Sequence, residues 1–554
     1  MNKIVVVFLS FILFAGCSNV VEQNEKKLNI LWLTCEDISP TLSFYGDSTA
    51  RTPNLDKLAN ESLIFENAYT TVGVCAPSRS SLITGMYPVS IGTHNMRTAH
   101  DVMGWGEREY KKQSKAFDIN GENVPKYSTV VPNPVKCFTE YMREIGYFCT
   151  NKQKCDYQFA APVTAWDQNG NDAHWKNREE GQTFFSVFNH NVTHESRMWM
   201  NKDLDLTVDP ESVPLPDYFP ENPIVRNDVA RNYSNIELLD KEIGSKLKEL
   251  EEAGELDNTI IFFFSDHGGP LPRGKREHYV SGLRVPFMVR FPKGENAGRV
   301  TDPISFVDIA PTMLSLIGLK PPEYMQGKAF LGKYKSENPR EFVYGSGDRF
   351  DEFSDRIRSI KYGKYMFVKN YFTDRPAYKD VSYRKNIDMT NELIRLNEEG
   401  KLNDQQSYWF RQNKTEEEFY DCEKDPYQLN NLIDDPKFEN EISLLRNQLA
   451  KWQNEVGDLG DTPELELYNE MWPNGIQPKT EKPNIDKSDD IIEVSCSTEN
   501  SSIGYLISDN DFLPDLDSGW KLYHKPLEKI EGKYLYLMAN RIGFQDSEIV
   551  KIKM

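Results

Sequence analysis

Residues 75–85 read Cys-Ala-Pro-Ser-Arg-Ser-Ser-Leu-Ile-Thr-Gly, the pattern of a loop that turns into a helix. Pro77 suits the first helical turn, where its missing N–H is not needed, and Gly85 suits the helix end. Cys75 is expected just before the helix, where free N–H groups and the helix dipole favour an anion and a thiolate. Arg79, one turn further on, can face the same point and hold a second anion or the Cys75 side chain.

Two acidic turns each follow directly after a continuous apolar segment of strand length. Residues 28–34 and 259–265 have the length and composition of strands buried on both faces. Glu36 and Asp37 follow the first, and Asp266 and His267 follow the second. Ligands bind at the carboxyl edge of open α/β sheets, and clustered carboxylates attract a hard divalent cation. The sequence therefore predicts that these turns converge.

The segments between residues 28 and 340 alternate in type. Further strands are predicted at 63–69, 146–150, 184–188 and 287–291, and helices at 137–145, 224–253 and 308–318. This alternation predicts an α/β domain with a mainly parallel sheet and helices on both faces.

The motif Cys-x-Pro-Ser-Arg followed by Ser-Leu-Ile-Thr-Gly resembles the signature of the Cys-type sulfatases. The resemblance implies an alkaline-phosphatase-like fold and conversion of Cys75 to Cα-formylglycine, whose hydrate is the nucleophile. A formylglycine-generating enzyme or an anaerobic sulfatase-maturating enzyme would be the partner in that conversion. The resemblance also implies Ca²⁺, held by Glu36, Asp37, Asp266, His267 and an oxygen of the modified Cys75. Glu36 stands where relatives usually have Asp, and His267 where many have Asn.

The same resemblance assigns the remaining catalytic residues. Lys154 and Lys275 would contact the sulfate, and His194 would donate to the sulfate or to the leaving oxygen. Asp156 stands where the family has a histidine, so the proton acceptor of the last step is either Asp156 or a histidine of another loop.

A loop after the motif helix carries two further candidates. His94 and Arg97 are expected either to line the mouth of the site and bind substrate or to belong to a plain surface loop.

The first 17 residues have the pattern of a secretory signal, and Ala-Gly-Cys resembles a bacterial lipobox with Cys17 as the lipidated residue. The alternative is an ordinary cleaved signal with an incidental cysteine. The interpretation is an exported cell-envelope lipoprotein, at the outer membrane, in the periplasm or on the cell surface, held to the membrane only through its lipid.

The other cysteines have no zinc-like spacing, and no disulfide pairing can be assigned.

The chain has 65 basic and 85 acidic residues and a formal net charge of −20. This argues against nucleic acid as a partner. It also opposes encounter with an anionic substrate, so a sulfatase site here needs a local positive cluster.

The pattern changes after residue 340. Residues 341–471 are predicted to form a smaller α+β subdomain, with a hairpin at 357–368 and a closing helix at 439–456, and residues 472–490 a linker. Residues 491–554 have short strands whose order resembles the small β-sandwich appended to β-hexosaminidases, here a spacer or docking module. The polar and aromatic segment 374–414 has no assigned structure, and it is expected to shape substrate binding.

The sequence thus predicts hydrolysis of sulfate esters on a sulfated polysaccharide or its oligosaccharides. The polysaccharide would be algal, such as ulvan or fucoidan, or a glycosaminoglycan, and the branch resembles N-sulfoglucosamine sulfohydrolase-like sulfatases. The alternatives are a sulfamidase, an unmatured glycan-binding surface lipoprotein, and a phosphomonoesterase or phosphodiesterase of the same fold. Phosphoesterases of this fold use Ser or Thr and usually zinc. The presence of Cys75 and the lack of a zinc-like histidine set argue against that alternative.

Overall fold

The computed structural model describes residues 27–99, 101–110, 115–488 and 490–554. The predicted signal segment and its lipidation site Cys17 lie outside these ranges. No helix in the described ranges is long and apolar enough to cross a membrane.

The described chain contains a large α/β part followed by antiparallel sheets. Its helices are α1 Pro53–Asn60, α2 Cys75–Thr84, α3 Phe138–Glu144, α4 Arg197–Met200, α5 Pro223–Glu252, α6 Val280–Leu283, α7 Ile309–Leu316, α8 Asp388–Glu398, α9 Asp404–Ser407, α10 Glu439–Val456 and α11 Glu464–Met471. Its strands are β1 Asn29–Cys35, β2 Leu63–Phe65, β3 Ala68–Tyr69, β4 Phe148–Lys152, β5 Gln168–Gly170, β6 Phe184–His190, β7 Thr259–Ser265, β8 Phe287–Arg290, β9 Gly298–Val300, β10 Ile304–Ser305, β11 Phe342–Phe350, β12 Phe353–Tyr362, β13 Tyr365–Asn370, β14 Glu417–Asp421, β15 Asn484–Lys487, β16 Ile491–Ser495, β17 Ser502–Ser508, β18 Lys521–Leu522, β19 Leu527–Glu528, β20 Tyr534–Asn540 and β21 Val550–Lys553.

The central sheet has eight strands in the order β5-β4-β6-β1-β7-β8-β2-β9. Of these described strands, β8 runs against the others, since it pairs antiparallel with both β7 and β2. The prediction of a mainly parallel sheet flanked by helices is confirmed. The carboxyl ends of β4, β6, β1 and β7 consequently lie at one edge, and the site is built there.

Successive residues of β1 pack on opposite sides of this sheet. Trp32 joins a core with side chains of α2, α3 and α7, whereas Leu31 and Leu33 join a second core with α1 and α5. This two-sided burial explains why the strand is a continuous apolar run.

The motif helix α2 begins at Cys75 itself, one residue earlier than predicted, because Val74 is the extended residue before it. It ends at Gly85, which has a left-handed φ of 70° as predicted. Every residue of α2 is buried, so the helix is a core element. The strand predicted at 63–69 is divided into β2 and β3.

The subdomain after residue 340 is a four-stranded antiparallel sheet, β11-β12-β13-β14, with α10 packed on it. The predicted hairpin turns at Gly363, which has a φ of 51°, and α10 has the bounds expected from the sequence.

The segment predicted as a linker is partly structured. Asn484–Lys487 forms β15, which pairs with β16, so the C-terminal module begins inside the stretch 472–490. Its composition is polar because an edge strand exposes most of its side chains. The module consists of two antiparallel sheets, β15-β16-β19 and β18-β17-β20-β21. All seven cysteines in the described ranges are free.

Candidate active site

Two acidic turns meet at the carboxyl edge of the central sheet. β1 and β7 are parallel neighbours in register, so Glu36 and Asp37 lie beside Asp266 and His267. The Asp37 N–H donates to Asp266 Oδ1 at 3.3 Å, and Asp37 has a φ of 52°. Holding a residue with a Cβ in this region costs about 1–3 kcal/mol. The surrounding structure therefore fixes Asp37 in an unfavourable conformation, as is common at functional sites.

Cys75 is fully buried at the start of α2, facing a set of cations. Arg97 Nη2 lies 3.8 Å from its Sγ. Burial by itself raises the pKa of the Cys75 thiol, but Lys154, Lys275 and a hydrogen bond from His194 outweigh it and hold the pKa well below the ordinary value. The cluster is therefore suited to negative charge at this side chain.

Arg79 joins the motif helix to three strand ends. Its Nη2 donates to Glu36 Oε1 at 2.7 Å, its Nε to Asp266 Oδ2 at 3.0 Å and its Nη1 to Asn189 Oδ1 at 2.8 Å. The sequence predicted that Arg79 holds an anion or Cys75. Its hydrogen bonds go to the acidic turns and to β6, so the structure places it as the group that fixes their relative positions.

Lys154 follows β4 and reaches the first acidic turn. Its Nζ lies 2.6 Å from Glu36 Oε2 and 3.3 Å from Asp156 Oδ2. Asp156, at the position of the family histidine, is buried with a φ of 55° and lies 4.0 Å from Arg97 Nη2. Burial lowers the pKa of Lys154, but Cys75, Glu36 and Asp156 raise it above its ordinary value, so the ammonium stays charged.

Lys275 lies on the other side of the site. Its Nζ is 2.8 Å from Asp37 Oδ2 and 3.2 Å from Glu195 Oε1. Glu195 also accepts two hydrogen bonds of 2.8 Å from Arg276, whose Nε donates to Asp351 Oδ2 at 3.0 Å. A chain of alternating charges thus runs from the acidic turn to the tip of the β11–β12 hairpin.

His267 lies between the two aspartates. Its Nε2 is 3.1 Å from Asp37 Oδ1 and 3.6 Å from Asp266 Oδ1, and its Nδ1 is 2.9 Å from Gly268 O. Burial lowers the pKa of His267, but Asp266 and Asp37 together raise it to about 10. Gly268 allows this turn to pack closely, since a Cβ there would lie 2.0 Å from Ser281 O.

Two histidines lie at the end of β6 and in the loop after it, and they contact different neighbours. His194 Nε2 lies 3.9 Å from Glu36 Oε2, and its Nδ1 is 2.9 Å from Ser196 Oγ. His190, at the end of the strand, instead has Nδ1 2.8 Å from Glu242 Oε2 on α5. Only His194 of this pair contacts the cluster around Cys75.

Of the two residues expected at the mouth, the structure brings Arg97 and not His94 to Cys75. The Arg97 side chain is 31% exposed and reaches Sγ. His94 is 2% exposed and lines a separate small cavity with Asp348 and Gly460. The expectation for His94 is corrected, because the β11–β12 sheet covers it.

The cluster has the donor chemistry of a cation site. Two sets of ligand atoms, each within 4.8 Å of one another, share Asp37: Glu36, Asp37 and His194, and Asp37, Asp266 and His267. Burial and the neighbouring Glu36 raise the pKa of Asp266. An additional positive charge would relieve that repulsion.

Several residues of the site were missed by sequence reasoning. Asn189, Glu195, Arg276 and Asp351 connect the charged groups but belong to no quoted motif. Glu195 and Arg276 could have been proposed as site residues, because each directly follows a predicted site residue, His194 or Lys275. Asp351 comes from a hairpin distant in sequence, and local pattern gives no signal for it.

Comparison with known proteins gives a consistent result. The family profile described as Sulfatase matches residues 28–319, and the profile described as N-sulphoglucosamine sulphohydrolase, C-terminal, matches residues 273–406. A protein named Ulvan-active sulfatase from Formosa agariphila is 41% identical over 95% of this chain and 91% of its own length. The human N-sulphoglucosamine sulphohydrolase is 27% identical over 78% of this chain and 90% of its own length.

The fold also matches solved structures. One, determined with its substrate D-glucosamine-2-N,6-O-disulfate, covers 79% of this chain and 99% of its own length with a TM-score of 0.52 and 17% identity. At that identity the similarity concerns the fold alone.

Proposed function

The chain belongs to the sulfatase family and is a sulfuric ester hydrolase, and we propose that it removes sulfate from ulvan or from its oligosaccharides. One observation carries the choice of substrate: a relative named for activity on ulvan is 41% identical over 95% of this chain. Other sulfated polysaccharides, fucoidan and glycosaminoglycans among them, are the comparison substrates.

Maturation of Cys75 is part of the proposal. A formylglycine-generating enzyme or an anaerobic sulfatase-maturating enzyme would replace the thiol by an aldehyde. The aldehyde hydrate supplies one hydroxyl that attacks sulfur and a second whose deprotonation releases sulfate. The supporting observation is that the Cys75 side chain already lies among Arg97, Lys154 and Lys275, which stabilise negative charge there.

The acidic turns fit Ca²⁺ as the cation. Glu36, Asp37 and Asp266 offer carboxylate oxygens, which a hard cation prefers, and His267 completes the set. A bound Ca²⁺ would polarise the oxygens of the modified side chain and the sulfate. Arg79 holds Glu36 and Asp266 in place for it through the 2.7 Å and 3.0 Å hydrogen bonds.

The remaining side chains neutralise charge and move protons. Lys154, Lys275 and Arg97, together with a bound Ca²⁺, would supply the local positive charge that an anionic substrate needs on a chain of net charge −20. His194 protonates the leaving sugar oxygen. Asp156 or His194 accepts the proton of the last step, since both lie beside Cys75.

A second candidate, hydrolysis of N-sulfate, is favoured by one observation. The profile of the N-sulphoglucosamine sulphohydrolase C-terminal region matches residues 273–406, which include Lys275 and the hairpin bearing Asp351. Assay of N-sulfoglucosamine beside ulvan oligosaccharides decides between the two.

We also propose that the mature protein is an envelope lipoprotein anchored through Cys17. The supporting observation is the apolar run before Ala-Gly-Cys in the sequence. Metabolic labelling with a radioactive fatty acid tests it, with Cys17→Ser as the control that should lose the label.

The first experiment is the mass of the tryptic peptide covering residues 58–79 from protein made in its native host. The proposal expects the mass for an aldehyde at Cys75, together with sulfate release from ulvan oligosaccharides that Cys75→Ala and Asp37→Asn abolish. An unmodified thiol with binding but no turnover would favour the glycan-binding alternative. Release of phosphate without sulfate would favour a phosphoesterase.

A further inference from the structure

An exposed aromatic ring lies beside His194 in a segment that the catalytic scheme does not use. Tyr383 belongs to the one-turn helix Ser382–Asn386 and is 39% exposed. Its ring centroid is 6.3 Å from that of His194 and 5.1 Å from that of Trp199, which it meets edge to face. The ring is thus supported on one side by the loop that presents His194.

The turn that carries Tyr383 is tied to the catalytic lysine. The next residue, Arg384, is 4% exposed and donates from Nη2 to the carbonyl oxygen of Lys275 at 2.9 Å. Its guanidinium lies over the Trp409 ring, 5.2 Å from the centroid. On the other side of Tyr383, the Ser382 N–H donates to Glu352 Oε1 at 2.5 Å. The position of the tyrosine is therefore fixed relative to the site.

The location of this ring has a consequence for the substrate. In the proposed scheme Lys154 and Lys275 hold the sulfate and His194 protonates the leaving oxygen, so the sugar lies on the His194 side of the cluster. Tyr383 is the exposed ring in contact with His194 there. A pyranose ring has an apolar C–H face, and an aromatic ring offers a flat apolar body that can cover it.

We propose that Tyr383 is a specificity-determining residue, on which the sugar ring that bears the scissile sulfate stacks. This inference rests on the proposed function, because it assumes a carbohydrate substrate. An exposed tyrosine is by itself ordinary. What distinguishes this one is its contact with His194 and the hydrogen bond that ties its neighbour Arg384 to Lys275.

The test separates sugar binding from sulfate binding. In Tyr383→Ala we expect KM for ulvan oligosaccharides to rise about tenfold, while kcat changes less than about twofold. Tyr383→Phe keeps the ring and should restore the wild-type KM. The inhibition constant of inorganic sulfate should stay unchanged in both variants, since sulfate alone contacts the charged cluster and not the ring.

Tyr362→Ala is the matched control. Tyr362 is 38% exposed and packs on Phe342 at the far end of β12 from Asp351. At about 3.3 Å per residue it lies roughly 30 Å along the hairpin from Asp351. Its substitution should leave every constant unchanged. A Tyr383→Ala variant with unchanged KM, or one that loses sulfate inhibition equally, would overturn the proposal.

A binding measurement keeps this inference distinct from the proposed function. Calorimetry with ulvan and heparin oligosaccharides, on Cys75→Ala with and without Tyr383→Ala, needs no turnover. If Tyr383→Ala weakens the affinity for either probe by about tenfold, the stacking role is supported. This holds even if ulvan is not hydrolysed and the proposed substrate is therefore wrong. Binding that does not depend on Tyr383, or no binding of either probe, refutes the stacking role.

Discussion

At the scale of single residues, His190 and His194 allow a matched comparison. They lie in the same segment, but His194 contacts the cluster at Cys75 whereas His190 pairs with Glu242. A general acid contributes about 10²–10⁴-fold to a rate. We therefore expect His194→Ala to lower kcat for sulfate release by about that factor, and His190→Ala to lower it less than about threefold.

Ion chromatography of released sulfate measures both rates, and circular dichroism verifies that each variant folds. If both variants lose the same fraction of kcat, the segment has a structural role and neither histidine is the general acid.

The proposed cation site gives a second prediction at the scale of single residues. Because Asp37 and Asp266 lie side by side and are buried, a divalent cation that binds only the folded state stabilises it. At about 100 times its dissociation constant the gain is about 2.7 kcal/mol. We expect Ca²⁺ to raise the Tm of chelator-treated protein and to restore its activity.

Asp37→Asn should lose the calcium-dependent rise in Tm, whereas Asp172→Asn, a solvent-exposed aspartate, should keep it. A shift in Tm of the same size in both variants would place the cation elsewhere.

At the scale of elements, the sequence predicted the bounds of strands well where a strand is buried on both faces, because such a strand is a long apolar run. β7 has its predicted bounds, and β1, whose prediction differs by one residue at each end, is equally buried. The acidic turns could be placed because parallel strands end at one edge. β15 was missed because an exposed edge strand needs no apolar alternation.

Contacts between distant elements were beyond sequence reasoning. His94 was expected either at the mouth of the site or in a plain surface loop, yet it is buried and lines a small cavity with Asp348. Arg79 was expected to hold either a second anion or Cys75, and the sequence did not indicate that its acceptors are Glu36, Asp266 and Asn189. The sequence pattern of one segment does not show which side chains of a distant segment will pack against it.

The ends of two helices give a prediction on stability. Gly85 ends α2 with a φ of 70°, and a Cβ there would lie 3.2 Å from Ala310 Cβ and from the Met325 side chain. Gly457 ends α10 with a φ of 66° and has nothing within 4 Å of a Cβ. The left-handed conformation costs a residue with a Cβ about 1–2 kcal/mol.

Gly457→Ala should therefore lower the free energy of unfolding by about 1 kcal/mol, and Gly85→Ala by more, since it adds crowding to the same strain. Urea unfolding measures both. Equal effects would mean that the core around α2 relaxes to accept the methyl group.

At the scale of the whole molecule, the C-terminal module is not a detached spacer. Trp520 and Tyr536 belong to the same core as Trp32 of β1. Arg143 on α3 donates to Trp520 O at 2.6 Å, and Trp105 Nε1 to Asp517 Oδ1 at 2.6 Å. Because the module shares a core and hydrogen bonds with the α/β part, we expect each to stabilise the other.

The net charge of −20 gives the last prediction. A polyanionic oligosaccharide approaching from solution meets the field of the whole surface, whereas the contacts with Lys154 and Lys275 are made in a buried cluster. Salt shortens the screening length from about 10 Å at 0.1 M to about 3 Å at 1 M, and it weakens buried pairs much less. We therefore expect kcat/KM for ulvan oligosaccharides to rise severalfold as sodium chloride increases across this range. A monosaccharide with one sulfate carries less charge and should show a smaller rise. A fall in kcat/KM for the oligosaccharides would mean that the positive cluster, and not the overall charge, governs the encounter.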